Sequence, residues 1–173
     1  MFNQILSLLS GESQARPDQL PVAVAALMVH AATMDDTFDE AERRTIERLL
    51  GERFKLEQDA VQALLAAAEK RAEESNQLYA FTRLAVERLD EPGRVKLIEM
   101  LWEVAYADDV LDPDEDTLLR RVAGLLYVSD HDRGEARKRV LRRICLAKQN
   151  DIGQNDVGQN DTAKQKSQDE EGH

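Results

Sequence analysis

A short acidic phrase occurs twice in this chain, 73 residues apart and with the same internal spacing: Asp35, Asp36, Asp39 and Glu42, then Asp108, Asp109, Asp112 and Glu115. Each copy follows an apolar stretch, 22–34 or 95–107. Each precedes another, carried by Ile46, Leu49, Leu50 and Phe54 or by Leu119, Val122, Ala123 and Tyr127. Aligned at that offset, 22–54 and 95–127 agree at eight of 33 positions: Val22, Ala32, Asp35, Asp36, Asp39, Glu42, Arg48 and Gly51 with their partners. Roughly two agreements are expected from background composition. Self-similarity at a fixed offset sets architecture, because a helical unit that cannot bury its apolar face alone buries it against its copy. The pattern predicts an all-α fold, a single helical domain of about seven to eight helices built from duplicated helix-turn-helix units, with carboxylates clustered at each corner.

Apolar residues recur at helical rather than strand spacing almost throughout. The stretch at about 20–34 is alanine-rich and apolar on most sides, so its helix is expected to be central and buried. Further helices are expected at about 39–54, 57–74, 76–89, 95–107, 112–127 and 129–146, with Glu91, Pro92 and Gly93 as a break before the second copy. Ser129, with Asp132 three residues on, has the spacing of a capping box for the last helix. That helix carries Arg133, Arg137, Lys138, Arg139, Arg142, Arg143 and Lys148, a basic face expected to pair with the protein's own acids.

Residues 1–17 read as an amphipathic segment, Met1 to Ser10 with Phe2, Ile5, Leu6, Leu8 and Leu9 on one face, and a linker from Gly11 to Pro17; 18–148 read as the helical domain. From Gln149 the pentads QNDIG and QNDVG recur with almost nothing apolar to bury, so 149–173 are expected to form a disordered acidic tail. The tail holds six acids and two lysines; of the chain's net charge of −11, −7 therefore belongs to residues 1–148. Such acidity disfavours nucleic acid and anionic bilayers as partners and favours cations or basic proteins. Without a basic leader or an apolar run long enough to span a bilayer, the chain reads as cytoplasmic. Cys145 is the only cysteine and excludes an internal disulfide.

The corner acids divide into two kinds. Asp39 with Glu42, and Asp112 with Glu115, have capping-box spacing, and Pro113 stands where a helix's first residue needs no N–H. Asp35, Asp36, Asp108 and Asp109 instead end their helices, at the negative pole of the dipole. Two carboxylates about 5 Å apart repel by roughly 3 kcal/mol at an effective dielectric near 20. Either such side chains splay into water or a cation sits among them. If an ion binds, an all-oxygen donor set favours Ca²⁺, Mg²⁺ or Mn²⁺ over Zn²⁺. The loop is not an EF-hand: position six is Glu40 or Pro113 and position twelve Ile46 or Leu119.

Two helical copies with Asp-bearing turns and an acid opening the next helix resemble the TerB-like tellurite-resistance family, whose domain also occurs in DjlA-type membrane co-chaperones. The resemblance spans about residues 20–146 and is clearest at 104–115, VAYADDVLDPDE. Asp36 and Asp109 stand where the family's Ala-Asp-Gly turn carries glycine, a substitution aspartate tolerates better than most residues. The resemblance implies an all-helical domain whose paired corners hold a divalent cation, with Asp35, Asp39, Glu42, Asp108, Asp112 and Glu115 as metal ligands. It also implies protein partners in stress-response or membrane-associated complexes.

The sequence has no Gly-rich phosphate loop, no G-x-S-x-G elbow and no Glu-x-x-His pairs of a di-iron bundle, so no enzyme is expected. His30 reads as a core histidine, His131 as solvent-facing, and Trp102 with Tyr106 as core packing. The leading expectation is a non-enzymatic divalent-cation module of a stress-response assembly. A helical interaction scaffold or co-chaperone-like adaptor whose corner acids are only caps is the alternative, and a metal-dependent hydrolase the second.

Overall fold

In the computed structural model the described residues are 19–33, 39–74, 78–108, 111 and 113–165, without the side chains of 73–74 and 150–165. They form seven helices and no strand: α1 Leu20–Ala32, α2 Glu40–Phe54, α3 Gln58–Glu74, α4 Leu78–Arg88, α5 Glu91–Ala105, α6 Pro113–Leu125 and α7 Asp130–Gln165. The amphipathic segment expected within 1–17 lies outside the described residues.

Helix α1 is the centre of the molecule, as its all-round apolarity predicts. Nine of its residues are buried, from Ala23 to Ala32, and it packs against α2, α3, α4, α5 and α6. A helix can take neighbours on so many sides only if its side chains are small where backbones approach. Ala23, Ala25, Ala26, Ala31 and Ala32 supply that, and Leu27, Met28 and Val29 fill the wider gaps. The second copy's counterpart, α5, is almost as deeply set, with Leu97, Ile98, Met100, Leu101, Trp102, Val104 and Ala105 buried, and packs on α1, α2, α6 and α7. Apolar stripes from the outer helices close the core: Ile46, Leu49 and Leu50 of α2, Val61, Leu65 and Ala68 of α3, Leu118, Leu119, Val122 and Ala123 of α6, and Ala136 and Val140 of α7.

Local chemistry sets the helix ends. Two differ from the sequence expectation. Glu91, Pro92 and Gly93 do not break the chain but form the first turn of α5, since proline there forfeits only an orphan N–H. Asp90 caps that turn, its carboxylate accepting from Gly93 N at 2.9 Å. Helix α7 does not stop near residue 146. Its backbone continues to Gln165 through the pentads where a disordered tail is expected, because an established helix adds a hydrogen bond with each residue and no proline interrupts it. Ile144 is the last described side chain packed against the core. The expected Ser129 cap is present: Asp132 N donates to Ser129 Oγ at 3.1 Å, and Ser129 Oγ donates to the Asp132 carboxylate at 2.5 Å. Helices α2 and α6 close with the same device, a left-handed non-glycine residue, Lys55 at φ 56° and Tyr127 at φ 55°. The following amides reach back five residues, Leu56 N to Gly51 O at 3.2 Å and Val128 N to Ala123 O at 2.9 Å.

Truncating the axial helix is the direct test of this core. Leu27→Ala, at a position 1% exposed, is expected to cost about 2–5 kcal/mol in a urea titration.

Candidate functional site

The two corners begin alike. Helix α1 ends on Thr33 (φ −98°, ψ 11°) and α5 on Tyr106 (φ −104°, ψ 14°), the same backbone conformation at aligned positions. Thr33 N–H reaches Val29 O at 3.0 Å and Tyr106 N–H reaches Trp102 O at 3.1 Å.

On the far side of the first corner, Asp39 and Glu42 form the complete reciprocal cap. Glu42 N donates to Asp39 Oδ1 at 2.8 Å, and Asp39 N donates to Glu42 Oε2 at 2.9 Å. Glu42 is only 7% exposed, and its counterpart Glu115, third residue of α6, only 5%. A buried carboxylate is costly unless hydrogen-bonded or neutralised, and both are engaged in further polar contacts. Each carboxylate has lone pairs beyond those a cap uses, so capping leaves coordinating capacity. Asp108 is exposed in the turn after α5 and has an interaction of its own.

Of the six expected ligands, the structure therefore joins Asp39 to Glu42, buries Glu115 at the equivalent place and leaves Asp108 at the surface. Asp35 and Asp112 lie outside the described residues, as do Asp36 and Asp109. Among the described residues no three His, Cys, Asp or Glu side chains converge as a metal-ligand group.

A second charged cluster was not legible in the sequence. Glu99 and Glu103 of α5, with side chains only 9% and 14% exposed, both face α7, and Glu103 also meets α2. Glu99 takes Lys96 Nζ at 2.9 Å, Arg139 Nε at 2.5 Å and Arg143 Nη1 at 3.3 Å. Glu103 takes Arg48 Nη2 at 2.9 Å and pairs also with Arg143. Burial pushes the Glu99 carboxyl up, but the hydrogen bonds from Lys96 and Arg139 outweigh it and hold it below the usual carboxylate range. Arg48 is held above its ordinary value, its partial burial outweighed by Glu103 and Glu52. The expectation that the basic helix pairs with the protein's own acids is met here. Only the Lys96–Glu99 spacing was visible in sequence; the arginines come from 40 and 44 residues away.

The aromatic pair is packing, as expected. Trp102 is 1% exposed and stacks on Tyr106 with centroids 5.9 Å apart. Arg137 covers both rings, 4.9 Å from Trp102 and 5.7 Å from Tyr106, and donates to Tyr106 Oη at 2.7 Å. His30 is half-buried beside Arg121, and burial, then that charge, lowers its pKa. His131 is exposed. No described helix is long and apolar enough to cross a membrane.

These features define an all-helical domain with two acid-bearing corners around a buried central helix. Residues 21–138 match the family model described as tellurite resistance protein TerB, and the chain belongs to that family. Neither a curated protein nor a solved structure matches it.

Two measurements test the electrostatics. Asp39→Ala is expected to lower stability by about 1 kcal/mol, whereas Asp39→Asn, an equally good cap, leaves it nearly unchanged in the same urea titration. For Glu99, whose folded pKa is depressed, the stabilising contribution is fully present above the unfolded value of about 4.5 and lost as pH falls through the folded value. The stability gap between wild type and Glu99→Gln is thus expected to be widest near neutral pH and to close in acid.

Proposed function

We propose that this protein is a non-enzymatic divalent-cation-binding module of a tellurite-resistance-like stress-response assembly, acting in the cytoplasm. The reading is carried by one observation: Glu42 and Glu115, aligned across the two halves, are both nearly buried glutamates at the third position of helices that open the acidic corners. A carboxylate nearly out of water is kept charged by hydrogen-bond donors or by a cation, and Ca²⁺ or Mg²⁺ suits an oxygen-only donor set. Membership of the TerB family supports the stress-response assignment. In this reading Asp35, Asp39 and Glu42 with Asp108, Asp112 and Glu115 are the ligands, residues 18–148 are the functional domain, and 1–17 and 149–173 flank it. A protein partner, free or in a membrane-associated complex, receives the cation-dependent signal.

The complete Asp39–Glu42 cap favours a second reading, in which the acids only terminate helices and the domain is an interaction scaffold or co-chaperone-like adaptor. Calorimetric titration of the chelator-treated protein with Ca²⁺, Mg²⁺ and Mn²⁺ separates the two. The cation reading expects a binding heat that disappears in the folded Asp35→Asn, Asp108→Asn double variant, together with weaker binding in the cap-preserving Asp39→Asn. Absence of heat and of thermal shift at millimolar ion leaves the scaffold.

A further inference from the structure

We propose that the groove lined by α2, α5 and α7 is the docking site for an amphipathic helix of a partner protein, one that carries carboxylates on both sides of its apolar stripe. The groove has a volume of about 730 Å³, within the range of roughly 300–1,000 Å³ that binding clefts occupy. Leu49 of α2, Met100 of α5, and Ile144 and Ala147 of α7 are its apolar lining. Ile144 and Ala147 stand one turn apart on the same face of α7, and a side chain as small as Ala147 lets another backbone come near. Apolar lining supplied by three helices suits the stripe of a fourth laid along them.

Charge decides which kind of helix fits. Five cationic side chains line the groove against two carboxylates, an excess of three positive charges on a chain whose net charge is −11. Three of the cations are already committed in part. Glu103 serves both Arg48 and Arg143, and Glu99 takes Lys96 and Arg143. These pairs hold the long stems in place, where they add apolar surface to the groove's walls. Arg53 and Lys55 are different: both are exposed at the end of α2 and neither has an ion pair among the described residues. Lys55 leaves the helix from a left-handed backbone at φ 56° that is pinned by the bond from Leu56 N to Gly51 O, so its position beside the groove is set by the main chain.

Guanidinium and ammonium groups beside an apolar floor select glutamates or aspartates that flank an apolar stripe. At physiological salt the acids elsewhere on the molecule are felt only within about 8 Å, so a short acidic segment seated here meets the local excess rather than the net charge. A nucleic acid differs in this respect, because its unbroken row of phosphates runs beyond the groove onto the acidic surface. None of these side chains belongs to an acidic corner, so docking here is independent of cation binding there.

Fluorescence anisotropy on the full chain tests this with a labelled peptide of roughly four helical turns, with leucines at i, i+3, i+4 and i+7 and glutamates on both flanks. Saturable binding that weakens with added salt is expected, together with NMR shift changes of the Met100 methyl and of the Ile144 and Ala147 amides. Arg53→Glu combined with Lys55→Glu, and separately Ala147→Glu on the α7 side, are each expected to weaken binding by about tenfold or more. All three positions are exposed, so the thermal transition is expected to stay in place. Absence of saturation at millimolar peptide overturns the proposal, as does equal binding of a peptide with lysine for glutamate, or an affinity that either folded variant leaves unchanged. Saturation of the same residues by single-stranded RNA also overturns it. Shifts of Met100 and Ala147 that depend on protein concentration in the absence of peptide do so as well, because a second copy then fills the groove.

Discussion

Everything in this fold hangs on taking α1 out of water from all sides at once. A helix with no polar face cannot sit on a surface, so five other helices must be arranged around it. The alanines fix how near they come, and close packing then makes each neighbour's position depend on the others. The acidic corners inherit their geometry from this arrangement. Their helices start and stop where the buried stretches of α1 and α5 run out, and the matched backbone at Thr33 and Tyr106 follows from two similar helices ending in similar surroundings.

Charge is distributed in two ways on this acidic molecule. Along α5, carboxylates that lie almost out of solvent are met by arginines from α2 and α7, so the basic helix is consumed largely in neutralising its own domain. Removing one partner from such a set strands the other, which makes the cluster a fixed part of the structure rather than a free binding surface. At the corners the described compensation is of a different kind, amide hydrogens of a helix N-terminus at Asp39 and Glu42. Partial dipole charges satisfy a capping oxygen but neutralise only part of a full negative charge.

The elements most legible from sequence were those governed by local rules. The all-apolar α1, the caps at Asp39 and Ser129, and the helical stripes of α2, α3 and α6 depend on neighbours within a few residues, so periodicity and spacing reveal them. The start of α5 was misplaced because Glu91, Pro92 and Gly93 carry turn-forming residues that also suit a first helical turn, and only the Asp90 cap decides between the two. The extent of α7 was missed for the opposite reason: weak helix formers with nothing to bury give no periodic signal, yet they can prolong a helix begun by a well-packed segment. Of the candidate ligands, the pairing of Asp39 with Glu42 was legible in their spacing, but not that Glu42 and Glu115 lie buried while Asp108 stays exposed.

The sequence by itself determined the helical class, the membership of the TerB family over residues 21–138 and the matched acids at two corners, because these are written in composition, spacing and repetition along one chain. Only the tertiary structure decided which charges meet. Arg139 and Arg143 find Glu99 across 40 residues and more, Arg137 settles on Trp102 and Tyr106, and described residues of α2, α5 and α7 line a common groove. Such pairings depend on helix crossing and depth of burial, quantities set by the packing of the whole core and carried by no local stretch of residues.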